Sequence, residues 1–416
     1  MAVSSPDFHD ADLDRRGCSS QIARGRADWP SWARWNRASA RRFTIGVEEE
    51  LMLLDPSDFS LAQSGEKVLR RLPGELRAHM EPETHAPVIE LATGIHSDVS
   101  GAVAELAALR AVLDRELRAM GLIAASAGTY PLAYSGETRL SGSARYGVVA
   151  DSMRMLARRE PTLALHVHIG VPDPEDAIRV LNGLRDAVPV LLALSANSPF
   201  TKGHDSGFAS ARTVIFQAFP RTGTARRFTA YADYVQAVDA LIASGALPDP
   251  SFLWWDVRLQ PALGTVEVRV MDAQIAVADT AALIALVQSL ARIELEDESV
   301  DRRVGPEVLA ENRFLAARDG LDARLIDPEK RVLVPVRTLL DTLLAACRAD
   351  ADAVDSVELD RVSRLAGANG AERQRVWASE DGLVQLVSKL TQRFAAPSTR
   401  SRQRTPPVPR CEGKLQ

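Results

Sequence analysis

The sequence is poor in cysteine, with only three among 416 residues. Cys18, Cys347 and Cys411 lie far apart and form no CxxC pair. This spacing excludes a disulfide framework and a thiolate metal site, and it is typical of a reducing compartment. The amino-terminal segment lacks the apolar centre of a secretory signal, and no stretch is apolar for long enough to cross a bilayer. We therefore expect a cytoplasmic protein without a membrane partner.

Excess charge of one sign is also missing. The net charge is −5, which gives no electrostatic reason to expect nucleic acid as a partner. The usual nucleotide motifs do not occur either: the chain has no GxxxxGK[ST], and no GxGxxG between a strand and a helix. A P-loop or Rossmann fold is therefore disfavoured. Any ATP would have to bind on the surface of a sheet, together with metal ions.

The composition that is present, 46% hydrophobic and 25% charged, predicts a globular protein with a sizeable core. Residues 1–40 lack periodicity but contain three tryptophans, and we interpret them as a disordered or loosely docked extension, with a partner-binding arm as the alternative. Residues 396–416 are basic and rich in proline, which predicts a disordered tail. No internal repeat or long linker divides the remainder, so we expect one domain over residues 41–395.

Strand-like and helix-like segments alternate irregularly within this domain. The segments "TIGVEEELML" and "LALHVHIGV" indicate buried strands, and "FLWWDVRLQPALGTVEVRVMDA" indicates two strands joined by a Pro/Gly turn. Helical spacing dominates "SDVSGAVAELAALRAVLDRELRAMG" and most of the chain beyond residue 276. The hairpin and the uneven helices argue against a doubly wound parallel sheet. We expect an α+β fold in which helices cover one face of an antiparallel sheet.

The first of these strands contains three adjacent glutamates. Side chains two positions apart in a strand lie on the same face, about 7 Å apart, so Glu48 and Glu50 share a face and Glu49 points to the other. Two buried carboxylates without partners are energetically costly. A solvated face or two arginine partners would account for them. So would a hard cation such as Mg²⁺, which prefers carboxylate oxygens and water.

Carboxylates also interrupt other apolar segments. Glu83 and Glu90 lie in "MEPETHAPVIELATG", and Glu267 shares a face with Arg269 in "TVEVRVMD", next to the strand that contains Arg258. A cross-strand ladder of ion pairs would explain one hairpin but not three acidic strands. Converging carboxylates with interleaved arginines are what a polyphosphate site needs, because cations offset the phosphate charge and guanidinium groups bind phosphate oxygens.

Two histidines suggest an alternative. His166 and His168 share a face of "LALHVHIGV", and such a pair can bind zinc in a hydrolase. Zinc needs a third protein ligand and usually a water molecule, so this site would have to use His79, His85 or His96. In the competing interpretation one histidine lies at a nucleotide or metal edge and the other is structural. The residues alone leave both interpretations open.

An ordered set of motifs resembles the bacterial carboxylate-amine ligases, the glutamate-cysteine ligase type 2 family. The motifs run from about residue 43 to residue 325 and are "GVEEEL", "VIELATGIH", "HVHIGV", "LSANSPF", "WWDVRLQPALGTVEVRVMDA" and "ENRFLAARDGLDA". The resemblance implies a glutamine synthetase-like fold, an antiparallel sheet that forms a funnel for ATP and Mg²⁺ with helices on its outer face. It also implies that residues 41–395 are catalytic. A homodimer is a further expectation.

The resemblance implies a reaction and a set of site residues. ATP would phosphorylate the γ-carboxylate of glutamate or a similar acid, and the amine of cysteine, or another amine, would attack the acyl phosphate. The positions that match metal ligands are Glu48, Glu50, Glu83, Glu90 and Glu267. Those that match contacts to phosphate or substrate carboxylate are Arg212, Arg258 and Arg269. His168 would lie near the nucleotide, as would Arg269, and Glu49 would have a structural partner on the other face.

Overall fold

A computed structural model describes residues 29–37, 41–133, 138–296, 304–350 and 353–396. The strands are β1 (Ile45–Leu54), β2 (Met80–Pro82), β3 (Val88–Ala92), β4 (Ile123–Ala125), β5 (Ala164–Gly170), β6 (Phe200–Thr201), β7 (His204–Asp205), β8 (Thr222–Gly223), β9 (Trp254–Trp255), β10 (Val257–Gln260), β11 (Thr265–Asp272), β12 (Arg324–Asp327) and β13 (Val332–Pro335). The helices are α1 (Gly65–Arg71), α2 (Gly74–Arg77), α3 (Val99–Ala119), α4 (Ala144–Met153), α5 (Pro174–Ser195), α6 (Ala211–Phe216), α7 (Tyr231–Ala243), α8 (Val277–Glu296), α9 (Pro306–Asp319), α10 (Val336–Asp350), α11 (Ala353–Gly367) and α12 (Gly370–Phe394).

The main sheet has seven strands, in the order β10-β11-β5-β1-β3-β2, with β4 also paired to β1. Every pairing in this sheet is antiparallel, and β10 and β11 form the hairpin that the Pro/Gly turn predicts. Helices α3, α5 and α8 pack against the sheet. The face that they cover is apolar because alternate residues of the strands, such as Val47, Val167 and Val268, are fully buried there. The expected antiparallel α+β fold is confirmed.

Glu49 lies on this helix-covered face and has a structural partner there, as the strand alternation predicts. Arg110 Nε of α3 donates to Glu49 Oε2 at 2.8 Å, and Thr280 Oγ1 of α8 donates to Oε1 at 2.7 Å. The same guanidinium group donates to the carbonyl oxygens of Gln274, Ile275 and Phe394. Both charged side chains are fully buried. The pair therefore joins the central strand to α3, α8 and the end of α12.

Residues 29–37, the part of residues 1–40 that the structure describes, are docked on α7. The rings of Trp29 and Trp35 each meet Tyr231 edge-on at 5.6 Å, and Trp32 Nε1 donates to Asp239 Oδ1 at 3.1 Å. The three indoles are partly buried by these contacts and pack against the core of the chain. Residues 1–28 and 38–40, and the tail from residue 397, lie outside the described residues.

The membrane and cysteine predictions concern features that lie partly within the described residues. Among the helices in the described ranges, none is long and apolar enough to cross a membrane. Cys347 is buried in α10. Cys18 and Cys411 lie outside the described residues, so the structure gives no pairing for them.

Candidate active site

Strand register brings the predicted acidic and basic residues together on the face of the sheet opposite Glu49. The antiparallel pairing sets these residues directly across from one another: Glu50 and Glu90, Glu48 and His166, Glu267 and His168, and Arg258 and Glu267. Residues opposite each other on neighbouring strands have side chains on the same face and about 5 Å apart. Five strands, β3, β1, β5, β11 and β10, therefore contribute to a single polar cluster.

His166 lies at the centre of this cluster. Its Nδ1 atom is 3.1 Å from Glu48 Oε2, and 3.9 Å from both Glu90 Oε2 and Glu267 Oε1. On the other side of the ring, the buried Nε2 atom is 3.7 Å from Glu50 Oε1 and has no hydrogen-bond partner among the described residues. Burial and the charge of Arg269 lower the pKa of His166 to about 4. The imidazole is therefore neutral at pH 7 and able to act as a ligand.

Two groups of side chains could each hold a metal ion. Their ligand atoms lie within 4.8 Å of one another, and the groups are Glu48, His166 and Glu267, and Glu50, Glu90 and His166. Both groups consist of two carboxylates and one imidazole. Carboxylate oxygens suit hard cations such as Mg²⁺. Each group supplies two carboxylates whose charge a bound cation would offset, so the residues fit Mg²⁺.

The four carboxylates differ in electrostatic environment. Burial, together with the charge of Glu83, raises the pKa of Glu50 to about 7. Burial and the charge of Glu48 likewise raise the pKa of Glu90 well above its ordinary value. Burial acts in the same direction on Glu267, but the guanidinium groups beside it hold the pKa of that carboxyl well below its usual range. The Glu50–Glu90 side of the cluster is thus the side on which the carboxyls are driven towards the neutral, protonated form when no cation is bound.

Glu83 lies at the edge of this side. Its Oε2 atom accepts a hydrogen bond from Thr84 N at 2.7 Å, and its charge acts on both Glu50 and Glu90. It belongs to neither candidate metal group. Glu83 therefore affects the pKa values of the site, and its own oxygen atoms lie outside the two groups of ligand atoms.

Of the three predicted arginines, Arg269 is the one that faces the carboxylates and the histidine. Its Nη1 atom forms an ion pair with Glu267 Oε1 and lies 3.4 Å from His166 Nδ1. Arg258 Nε donates to Glu267 Oε2 at 2.6 Å, and its Nη1 donates to the carbonyl oxygens of Ser251 and Leu253 at 3.0 Å. The structure thus places Arg258 as a support for Glu267.

Arg212 supports the backbone of β11. Its two Nη atoms donate to the carbonyl oxygens of Val270 and Arg269 at 3.0 and 3.1 Å. These carbonyls lie where the β11–β5 register shifts, between Val268 and Met271. Such an irregularity leaves backbone groups without ladder partners, and a guanidinium group can satisfy them. Arg212 therefore holds in place the segment that contains Arg269.

His168 lies beside the first metal group but outside it. Its Nδ1 atom is 3.0 Å from Thr265 Oγ1, and its Nε2 atom is 3.3 Å from Glu48 Oε1. Burial lowers the pKa of His168, but the charges of Glu48 and Glu267 more than offset this, so the net shift is upward. Sequence reasoning placed His168 at the metal or nucleotide edge; the geometry places His166 closer to the candidate metal positions.

The histidines required by a zinc hydrolase do not gather here. Each candidate metal group in the described ranges contains one histidine. His79 Nδ1 lies 2.9 Å from the carbonyl oxygen of Ala92, and His96 Nε2 lies 2.6 Å from Glu105 Oε2. His85 is buried apart from either group. The zinc interpretation therefore lacks the His-rich ligand set on which it depends.

Gln260 is a site residue that sequence reasoning missed. Its Nε2 atom donates to Glu267 Oε2 at 2.7 Å, so Arg258 and Gln260 both hold the same carboxylate oxygen. The signal was present, because residues two apart on β10 share a face and Arg258 had already been assigned to the site. An amide in a polar strand carries little information by itself, which is why the pattern did not single it out.

Comparison with known proteins supports one family. The model of Glutamate-cysteine ligase family 2 (GCS2) matches residues 44–388. A protein of Rubrobacter xylanophilus named "Putative glutamate--cysteine ligase 2-1" is 38% identical over 354 residues, which cover 84% of this chain and 94% of that protein. A protein of Sorangium cellulosum named "Putative glutamate--cysteine ligase 2" is 37% identical over 357 residues, covering 84% and 95%.

Solved structures show the same fold. The glutamate–cysteine ligase of Francisella tularensis, in complex with AMP, superimposes with a TM-score of 0.64 at 14% identity and covers 86% of this chain and 90% of that one. A bifunctional glutathione synthetase from Pasteurella multocida gives 0.63 at 14% identity, covering 85% and 52%. At this identity the likeness speaks for the fold, and it agrees with the antiparallel sheet and outer helices seen here.

Proposed function

The chain belongs to glutamate-cysteine ligase family 2, and on this premise we propose that it is an ATP- and Mg²⁺-dependent carboxylate-amine ligase with its catalytic domain over residues 41–395. The proposed substrates are glutamate and cysteine, with another acid and amine of the same kind as the alternative. The acid carboxylate attacks the γ-phosphorus of ATP and ADP leaves. The amine then attacks the acyl carbon, phosphate leaves, and an amide such as γ-glutamylcysteine is the product.

The observation that carries this proposal is the buried cluster around His166. Four carboxylates approach one neutral imidazole, with distances from 3.1 to 3.9 Å. Such a cluster is unfavourable without cations, because carboxylates in a low-dielectric environment repel one another. A phosphoryl transfer site needs this arrangement, since bound Mg²⁺ would offset the charge of the phosphate oxygens.

The residues divide into ligands and supports. Mg²⁺ would be held by Glu48, Glu50, Glu90, Glu267 and His166. Arg269 faces the same cluster, and we assign it to a phosphate or substrate carboxylate oxygen. Arg258 and Arg212 are positioning residues, because their nitrogen atoms hold Glu267 and the β11 backbone. His168 would lie at the nucleotide edge of the site, beside Glu48.

The reaction does not require a covalent nucleophile of the enzyme. Transfer of a phosphoryl group converts the acid carboxylate into an electrophile, so the amine can attack it directly. The protein must hold the acid, the amine and the nucleotide in order and exclude water from the activated intermediate. A buried sheet surface with charged side chains on one face suits that task.

The test is release of phosphate from ATP and Mg²⁺ with glutamate present, across a panel of amines that includes cysteine. We expect release that requires the acid and the amine together, with a product one water lighter than their sum by mass spectrometry. Glu307→Gln, an exposed position at the start of α9, is the matched control for carboxylate variants. Absence of release with every acid–amine pair would overturn the proposal. Light scattering on the same sample tests the proposed homodimer.

A further inference from the structure

Residues 29–37 lie before residue 44, where the match to the family model begins, yet they reach the strands of the site. We call these nine residues the strap. Its amino-terminal part is anchored on α7: the rings of Trp29 and Trp35 pack on Tyr231, and Tyr231 Oη donates to the carbonyl oxygen of Ala33 at 2.6 Å. Ala33 is fully buried. The strap is therefore bound by ring packing and by a buried hydrogen bond.

The carboxyl-terminal part of the strap contacts the ends of three strands. Asn36 N donates to the carbonyl oxygen of Pro261 at 2.8 Å, and Asn36 Nδ2 donates to that of Ala262 at 3.0 Å. Both acceptors lie in the turn between β10 and β11. Trp35 Nε1 donates to the carbonyl oxygen of Val171, directly after β5, at 2.9 Å. One short segment thus binds the β10–β11 turn and the end of β5 together.

These attachment points lie close to the supports of the site. Pro261 directly follows Gln260, whose side chain holds Glu267. Val171 N donates to the carbonyl oxygen of Gly264, and the next residue, Thr265, contacts His168. A shift of the turn would move Gln260 and Thr265, and with them the orientation of the Glu267 carboxylate and the His168 ring.

We propose that the strap positions the Gln260–Glu267 side of the active site by holding the β10–β11 turn against the end of β5. Trp35 and Asn36 act on the site through the strand ends to which they donate hydrogen bonds, so we assign them as positioning residues. The expected effect on turnover rests on the proposed ligase function. The expected effect on the strand ends depends on the contacts alone, so hydrogen exchange tests the structural role separately from turnover.

The test compares two full-length variants of the strap. Trp35→Phe combined with Asn36→Leu removes two side-chain hydrogen bonds to the strand ends but keeps a ring on Tyr231. Trp32→Phe is the matched control, because it removes an indole hydrogen bond of the same strap that goes to Asp239 of α7 instead. Amide hydrogen exchange is followed in residues 257–266 and 166–171, and turnover is measured as a function of Mg²⁺–ATP concentration.

We expect the double variant to exchange about fivefold faster in these two segments, because each segment loses one side-chain hydrogen bond from the strap. The KM for Mg²⁺–ATP should rise about fivefold with kcat nearly unchanged, while Trp32→Phe resembles the wild type in both. Unchanged exchange in the double variant, equal effects of Trp32→Phe, or faster exchange over the whole sheet would overturn the positioning role. If neither the wild type nor any variant showed turnover, the ligase function would be refuted. The exchange rates would still show whether the strap holds the two strand ends.

Discussion

Glu48, Glu49 and Glu50 are adjacent on β1, yet each has a different set of partners. Glu49 is held by Arg110 and Thr280 on the helix-covered face. Glu48 lies beside His166, and Glu50 faces Glu90. The residue type is the same at all three positions, so the alternation of the strand and the identity of the facing strand decide what each carboxylate does.

Removing single carboxylates should separate catalysis from stability. Glu50 faces another carboxylate, so removing its charge relieves repulsion, and we expect Glu50→Gln to be at least as stable as the wild type without cations. Phosphate release should fall by about 100-fold or more, because a ligand for the cation is lost. Glu267 instead neutralises Arg258 and Arg269. Glu267→Gln removes the nearest counter-charge of both buried guanidinium groups, which costs about 3–5 kcal/mol. Urea unfolding beside the phosphate assay measures both effects, and equal stability of the two variants would contradict this assignment.

His85 should make stability depend on pH. Burial lowers the pKa of His85 to about 4, below the ordinary histidine value of about 6.5. Between these two values the unfolded chain binds more protons at this residue than the folded one, so the contribution to stability is complete above about pH 6.5 and is lost as the pH falls towards 4. By linkage this residue lowers the free energy of unfolding by about 3 kcal/mol over that range.

Urea unfolding at pH 7 and pH 4.5 measures this effect in the wild type and in His85→Gln. The other titrating groups are common to both proteins, so the difference between their pH slopes isolates His85. We expect the variant to lose less stability on acidification than the wild type. Identical slopes would mean that this imidazole is already charged, or already exposed, in the folded protein.

At the scale of whole elements, the two faces of the sheet have different roles. The helix-covered face holds the apolar core together with one buried ion pair, Glu49–Arg110. The opposite face holds the carboxylates, the histidines and Arg269. Because each strand alternates between the two faces, the segments that supply the core also supply the site, and a shift of one residue in the register of any central strand would destroy both.

The Glu49–Arg110 pair should be important for the docking of helices on the sheet. Arg110→Met leaves Glu49 buried without its counter-charge and three carbonyl oxygens without a donor, so we expect unfolding to become easier by about 3–5 kcal/mol. Arg115→Met, on an exposed side of the same helix, should change stability by less than about 0.5 kcal/mol. The double variant Glu49→Gln/Arg110→Met should recover part of the loss. If Arg110→Met matched Arg115→Met in urea unfolding, the pair would have no such role.

At the scale of the whole molecule, the site is a source of instability that ligands can relieve. Carboxylates gathered in a buried cluster repel one another in the absence of cations. A ligand that binds the folded chain alone stabilises it by mass action. Folding and function are therefore coupled through the same carboxylates.

This coupling predicts a ligand-dependent melting temperature. Mg²⁺ with a non-hydrolysable ATP analogue should raise the melting temperature of the wild-type chain by several degrees, since saturation at about 100 times the Kd adds about 2.7 kcal/mol. The rise should be absent in Glu50→Gln and present in Glu307→Gln. Differential scanning calorimetry with and without a chelator measures it. A shift of equal size in Glu50→Gln would place the ligand elsewhere on the protein.

Much of the fold and of the polar cluster could be predicted from local patterns. Strand alternation put Glu48 and Glu50 on one face and Glu49 on the other, and the Pro/Gly turn predicted the β10–β11 hairpin. The motifs pointed to the family that the comparisons show. Gln260 and the contacts of Trp29 and Trp35 with Tyr231 were not predicted, because an amide or an indole has no distinctive spacing until its partner is known.

What the sequence determined by itself is therefore what the period of two in a strand and the chemistry of side chains dictate. These are which residues share a face, and that carboxylates buried among apolar residues need positively charged partners. Only the tertiary structure decided which strands are neighbours. It placed His166, rather than His168, between the carboxylate pairs. It directed Arg258 to Glu267 and Arg212 to the β11 backbone, and it brought residues 29–37 to the β10–β11 turn. The physical reason is that contacts between residues more than 100 positions apart, such as Glu48 with His166, depend on the order of strands in the sheet, and no local period records that order.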